Sequence, residues 1–146
     1  MTKNSLIACN PNYTGDTNED GLPHGHGVYE FANGGRYEGQ WKNGWQWGDG
    51  VYENPDGLRY EGQHKDGKVH GHGVWEYAGG DCYEGQHKDG LPHGRSILVE
   101  SGGDRFTTLW ENGKLVNMEE LQSRMDDLTL EQLLKHSESI VQERYQ

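Results

Sequence analysis

One eight-residue word governs this chain. Tyr-Glu-Gly-Gln-His-Lys-Asp-Gly runs from Tyr60 to Gly67 and again, unchanged, from Tyr83 to Gly90. A near copy, carrying Trp41 and Asn43, runs from Tyr37 to Gly44. The aromatics Tyr37, Tyr60, Tyr83 and Phe106 follow one another at intervals of 23 residues, and Tyr13 stands 24 before Tyr37. A fixed period of this length is the mark of a repeat array, in which one supersecondary unit is stacked on copies of itself. Four units are read, 13–36, 37–59, 60–82 and 83–105, and the half unit FTTLWENGKL closes the array at Leu115.

Each unit is written as a hairpin. An aromatic-x-Gly run is followed by a Lys-Asp/Asn-Gly turn, a short stretch such as His70-Gly71-His72-Gly73, and a second run such as Val74-Trp75-Glu76-Tyr77. Both runs alternate in character with a period of two, which is strand behaviour. Asp-Gly and Asn-Gly favour the positive φ angles of tight hairpin turns. A lone hairpin is marginally stable in water, so the units must bury their faces against one another. The alternation puts Tyr37, Gly39 and Trp41 on one face and Glu38 and Gln40 on the other. Second strands add Tyr29, Phe31, Tyr52, Trp75 and Tyr77 to the aromatic face. The glycine column Gly15, Gly39, Gly62 and Gly85 suits a sheet in which a neighbouring ring lies over bare backbone.

These units resemble the MORN repeat family, whose motif of about 23 residues is built around YEGxWxxGxxHGxG. Tyr37–Gly44 is close to that pattern, as is His70-Gly71-His72-Gly73. The chain departs from it at His64 and His87, which replace Trp, at Trp47-Gly48-Asp49-Gly50, and at His93-Gly94-Arg95-Ser96. The resemblance covers residues 13–115. It implies an elongated all-β antiparallel sheet of consecutive hairpins. It also implies a scaffold, adaptor or dimerisation module without catalysis, in cytoskeletal, ciliary or membrane-junction assemblies.

Composition narrows the function further. The formal net charge is −11, and residues 13–116 hold 17 acidic against 9 dispersed basic residues. Nucleic-acid and anionic-lipid surfaces need clustered Lys and Arg. Cys9 and Cys82 have no paired spacing, which excludes a disulfide framework and fits a reducing compartment. No apolar run is long enough to span a bilayer. A cytoplasmic protein, associated with cytoskeleton or cilium by family analogy, is expected. His24, His26, His70, His72 and His93 gather near turns, but equivalent positions two strands apart are about 9–10 Å from each other, too far to share a metal. Turn hydrogen bonding is the expected role, and neither metal nor cofactor is expected. No nucleophile-base arrangement stands out from the repeat-fixed residues, so no catalytic residue is assigned.

Beyond Lys114 glycine disappears and leucines appear. Asn117 with Glu120, and Thr129 with Gln132, have capping-box spacing. Two short helices near 118–127 and 130–143 are expected, either covering the aromatic sheet face or binding a partner. The chain thus divides into an N-terminal arm (1–12), the array (13–115) and a C-terminal helical segment (116–146).

Two extra tryptophans, Trp45 and Trp47, mark the second unit. The expected partner site is an aromatic groove formed by Tyr37, Trp41, Trp45, Trp47, Tyr52, Tyr60, Trp75 and Tyr77, which receives a protein partner as an extended peptide or a helix. The alternatives are a homodimer or filament former joined through sheet edges or the C-terminal segment, and a phosphoinositide tether.

Overall fold

The computed structural model describes residues 11–120. Ten strands run in chain order: β1 (Tyr13–Thr17), β2 (Pro23–Glu30), β3 (Arg36–Lys42), β4 (Trp45–Glu53), β5 (Arg59–Lys65), β6 (Lys68–Glu76), β7 (Cys82–Lys88), β8 (Leu91–Val99), β9 (Arg105–Glu111) and β10 (Lys114–Glu120). They form one antiparallel sheet whose spatial order is the chain order. Every contact between strands is therefore local, as a one-dimensional repeat array requires.

Two kinds of turn alternate along the sheet. At one end, Asn43-Gly44, Asp66-Gly67, Asp89-Gly90 and Asn112-Gly113 hold positive φ at both central positions, near 50° and then 80–90°. That is the two-residue primed turn whose twist matches the flanking strands, and Asn or Asp tolerates its first position. At the other end, five-residue loops close through backbone bonds such as Asn54 N–H to Leu58 O at 3.0 Å and Tyr77 N–H to Asp81 O at 2.9 Å.

The register slips once per unit at the same place: Gly15/Thr17, Gly39/Trp41, Gly62/His64 and Gly85/His87. Such bulges bend the strand that carries them and increase its twist. The core lies on the aromatic face. Tyr37 and Tyr60 are fully buried there, with Trp41 and Tyr83 nearly so.

The rings lie over the glycines of the partner strand rather than over the expected column of Gly39 and Gly62, whose own faces meet that partner backbone. Gly39 pairs with Gly50, and Gly62 with Gly73. A Cβ on Gly50 would lie 2.2 Å from Tyr37 Oη, and one on Gly73 would lie 2.2 Å from Tyr60 Oη. Each tyrosine therefore lies flat on bare backbone, and its hydroxyl donates to a carbonyl, Gln40 O or Gln63 O, at 2.9 Å.

One expectation is overturned at the C-terminal end. The pattern predicts a helix from Met118 capped by Asn117, but Lys114–Glu120 is a strand, with Asn117 paired to Leu109 and Met118 to Thr108. The Asn112-Gly113 turn delivers this segment directly against β9. Ladder bonds to β9 then satisfy its backbone at once, whereas a helix must first nucleate at a cost. The sheet accordingly extends past Leu115 to Glu120. The rest of the two expected helices, and most of the N-terminal arm, lie outside the described residues.

Candidate functional site

The aromatic face is organised as a ladder of rings. Tyr37 meets Trp41 edge-on at 5.2 Å and His64 at 5.0 Å; Tyr60 meets His64 at 5.1 Å and His87 at 5.6 Å. The ladder continues through Tyr83 to Trp110 at 6.3 Å, and Tyr13 meets Trp41 at 5.4 Å. Edge-to-face pairs of this kind contribute about 0.5–1.5 kcal/mol each beyond their buried area. The ladder is a floor, and the second strands raise a wall above it.

Between floor and wall lie two adjoining hollows. One, of about 280 Å³, is lined by Phe31, Tyr52, His64, Val69 and Trp75 among others. The second, of about 210 Å³, is lined by Tyr29, Phe31, Trp41, Trp45 and Gln46. Of the groove residues expected from sequence, Tyr37, Tyr60 and Trp41 form the buried floor. Tyr52 and Trp75 are half-buried in the wall. Trp45 is 52% exposed at the turn end, and Tyr77 is 45% exposed beside Trp75, to which it stacks at 6.4 Å. Trp47 lines neither hollow; its ring lies 4.3 Å beneath the Lys42 ammonium in a cation–π contact.

Trp47 stands in a column that elsewhere holds histidine. His24, His70 and His93 each accept, through Nδ1, the backbone N–H of Asn43, Asp89 and Asn112 at 3.2 Å. These histidines tie each turn to the next hairpin, which is the hydrogen-bonding role expected of them. Indole has no acceptor, so Trp47 cannot do the same. No group of three metal-ligating side chains gathers among the described residues.

Phe31 and His64 belong to the groove although the sequence reading left them out of it. Phe31 lines both hollows. For His64 a signal was present: it occupies the ring column of Trp41 and Trp110, and a smaller ring there leaves room. Burial holds the His64 and His87 imidazoles below the usual histidine pKa, against the carbonyls of Gly48 and Gly62 at His64 and of Gly71 at His87. Both are neutral at pH 7. Burial likewise pushes the Tyr37 and Tyr60 phenols up, so no charge sits on the groove floor.

The opposite face is a charged ladder. Arg36 meets Glu38 at 2.7 Å, Arg59 meets Glu61 at 2.9 Å and Glu53 at 3.1 Å, and His72 meets Glu84 at 3.2 Å. Exposed pairs such as these contribute at most about 1 kcal/mol each and keep that face wetted.

The MORN repeat family matches at residues 19–36, 37–59, 60–82 and 83–95, four consecutive units in the register of the hairpins. The chain belongs to the MORN-repeat family. MORN repeats are commonly modules for protein or membrane interaction. Among curated proteins no relative matches this chain. The MORN hairpin explains the glycine and tyrosine columns, which every unit shares in whole or in part. It does not explain the groove, which forms where this chain departs from the shared pattern at Trp45 and His64.

Proposed function

We propose that this MORN array is a non-enzymatic adaptor that docks a protein partner, as a peptide or helix, in the aromatic groove over its second and third units. The observation that carries this reading is the pairing of open hollows with exposed rings. Trp45 and Tyr77 are about half exposed, and Phe31, Tyr52 and Trp75 line concave space between them. Aromatic anchors in such concave, desolvating settings dominate binding energy at protein interfaces. The test is co-purification from cell lysate with Phe31→Asp, which charges both hollows, beside Val51→Asp on the charged face. Loss of the partner with Phe31→Asp alone, at unchanged circular dichroism, supports the groove. Equal retention by both variants removes it.

A second reading is self-association, and β10 favours it. This outer strand of the described sheet exposes Leu115, Val116 and Met118 at 48%, 42% and 40%. An open strand edge invites pairing with another chain. Light scattering across a concentration series checks this: Val116→Lys should shift the molecule toward monomer, and a concentration-independent monomer rules the reading out.

A further inference from the structure

The two hollows of the groove stand one repeat apart. Trp41 lines the first, and His64, its counterpart on β5, lines the second. Two strand spacings of about 4.8 Å put these positions about 9.6 Å from each other. Phe31, Gln46 and Gly67 line both hollows and join them. A ligand lying across the strands with one side chain in each hollow must therefore repeat at about 9.6 Å. An extended strand turns the same face every two residues, about 6.8 Å. An α-helix reaches the separation only with anchors seven residues apart, about 10.5 Å. A polyproline II segment turns the same face every third residue, about 9.3 Å.

Hydrogen bonding decides between these shapes. Three of the five indoles are spent inside the fold: Trp41 donates to Gly27 O at 3.1 Å, Trp75 to His87 Nε2 at 3.0 Å and Trp110 to Thr108 Oγ1 at 3.0 Å. Trp45, 52% exposed on the first hollow, has no acceptor for its indole N–H among the described residues. Beside it, Gln46 pairs with Trp41, where the ring column elsewhere pairs with the apolar Val69, Pro92 and Leu115. The Gln46 carboxamide likewise bonds no described residue. The groove thus sets two free donors beside its hollows. A helix has bonded its own carbonyls and gives these donors little to meet. A polyproline II segment has no internal hydrogen bonds, so its carbonyls are open.

We propose that the groove receives a proline-rich segment of the partner in the polyproline II conformation, lying across the strands. One apolar side chain enters each hollow, three residues apart, and the Trp45 indole and Gln46 carboxamide donate to the carbonyls between them. Aromatic-lined grooves suit such a segment, whose conformation is largely set before binding. Lys or Arg on its flanks follows from the chain's net charge of −11, which attracts cationic segments and speeds their encounter. This inference rests on the adaptor reading and specifies its ligand.

The experiment selects random peptides displayed on phage with the full chain, then titrates synthetic copies by fluorescence anisotropy. Enriched peptides should be proline-rich, with apolar residues three apart and a basic flank. One alanine inserted between those residues should weaken binding about tenfold or more, the loss of one buried apolar side chain. Trp45→Phe and Gln46→Val should each weaken it about fivefold, the size of one hydrogen bond. Gln46→Val keeps the fold, because Val69 already stands in that place. Trp47→Phe, outside both hollows, should leave binding unchanged. Enriched peptides that lack proline, or that ignore both Trp45→Phe and Gln46→Val, yet are lost on Phe31→Asp would overturn this ligand and leave the groove standing. Peptides that bind Phe31→Asp as well as the unaltered chain would overturn the ligand and the groove together.

Discussion

The central units and the fourth unit solve the same packing problem differently. In the centre, Tyr37 and Tyr60 lie over Gly50 and Gly73 on the partner strand, and each hydroxyl reaches its carbonyl at 2.9 Å. In the fourth unit that glycine is Ser96, paired with Gly85. Tyr83 then donates to Gln86 O at only 3.3 Å. Ser96 Oγ bonds Thr108 Oγ1, which also accepts the Trp110 indole N–H at 3.0 Å. Ring-on-backbone packing has given way to a buried hydroxyl cluster. The lesson is that a repeat's glycine is as specific as its tyrosine, and that the array ends where this pairing is exchanged for polar contacts.

The sharpest way to break the comparison is Gly50→Ala. Its backbone is compatible with alanine, but the new methyl would collide with the Tyr37 ring. The expected loss is about 3 kcal/mol or more, read by urea unfolding. Gly102→Ala, with nothing within 4 Å of its new methyl, should change stability by less than about 0.5 kcal/mol. Equal effects would refute the ring-on-backbone account.

Next comes the hydroxyl itself. Tyr37→Phe should cost about 1 kcal/mol and Tyr83→Phe distinctly less, because its bond is longer. The same unfolding assay compares them, and a reversed order would undo the distinction between the units.

Acid should weaken the centre more gently. His64 and His87 titrate below 6.5 when folded and near 6.5 when unfolded. Above pH 6.5 both states are neutral and stability is flat from this source. As pH falls below 6.5 the unfolded chain gains protons first, so stability declines until the folded pKa values are passed. Thermal melts of His64→Trp should show a shallower decline than the unaltered chain.

The smallest effect is a gain. Trp47→His should let the second unit accept the Asp66 N–H as His70 accepts that of Asp89, adding about 0.5 kcal/mol. A loss would show that the Lys42–Trp47 contact outweighs the turn bond.

Much of this architecture was legible in the chain. The interval from Tyr37 to Tyr60 to Tyr83 set the hairpin register, and alternation separated Glu38 from Tyr37. Local contacts make such inference reliable, because each unit specifies its own pairing. The fate of Lys114–Glu120 was not legible: its capping-box spacing favoured a helix, and only the Asn112-Gly113 turn beside an open strand edge decides otherwise. The groove was half legible. Tryptophan and tyrosine marked the aromatic face, but alternation does not reveal which rings are floor and which are wall. Trp47 looked like an anchor until its column proved to be that of the turn-tying histidines. His64 stood out in the sequence only as a replacement for Trp; that it lines a hollow depends on how Phe31, Tyr52 and Trp75 are arranged around it.

The central claim is that the partner lies over the second and third units on the aromatic face. Photo-crosslinking tests it most directly, with a benzophenone amino acid placed at Phe31 in one sample and at Val51, on the charged face, in another. The account predicts a partner crosslink from position 31 and none from position 51. A crosslink from position 51 alone would contradict it and move recognition to the charged ladder.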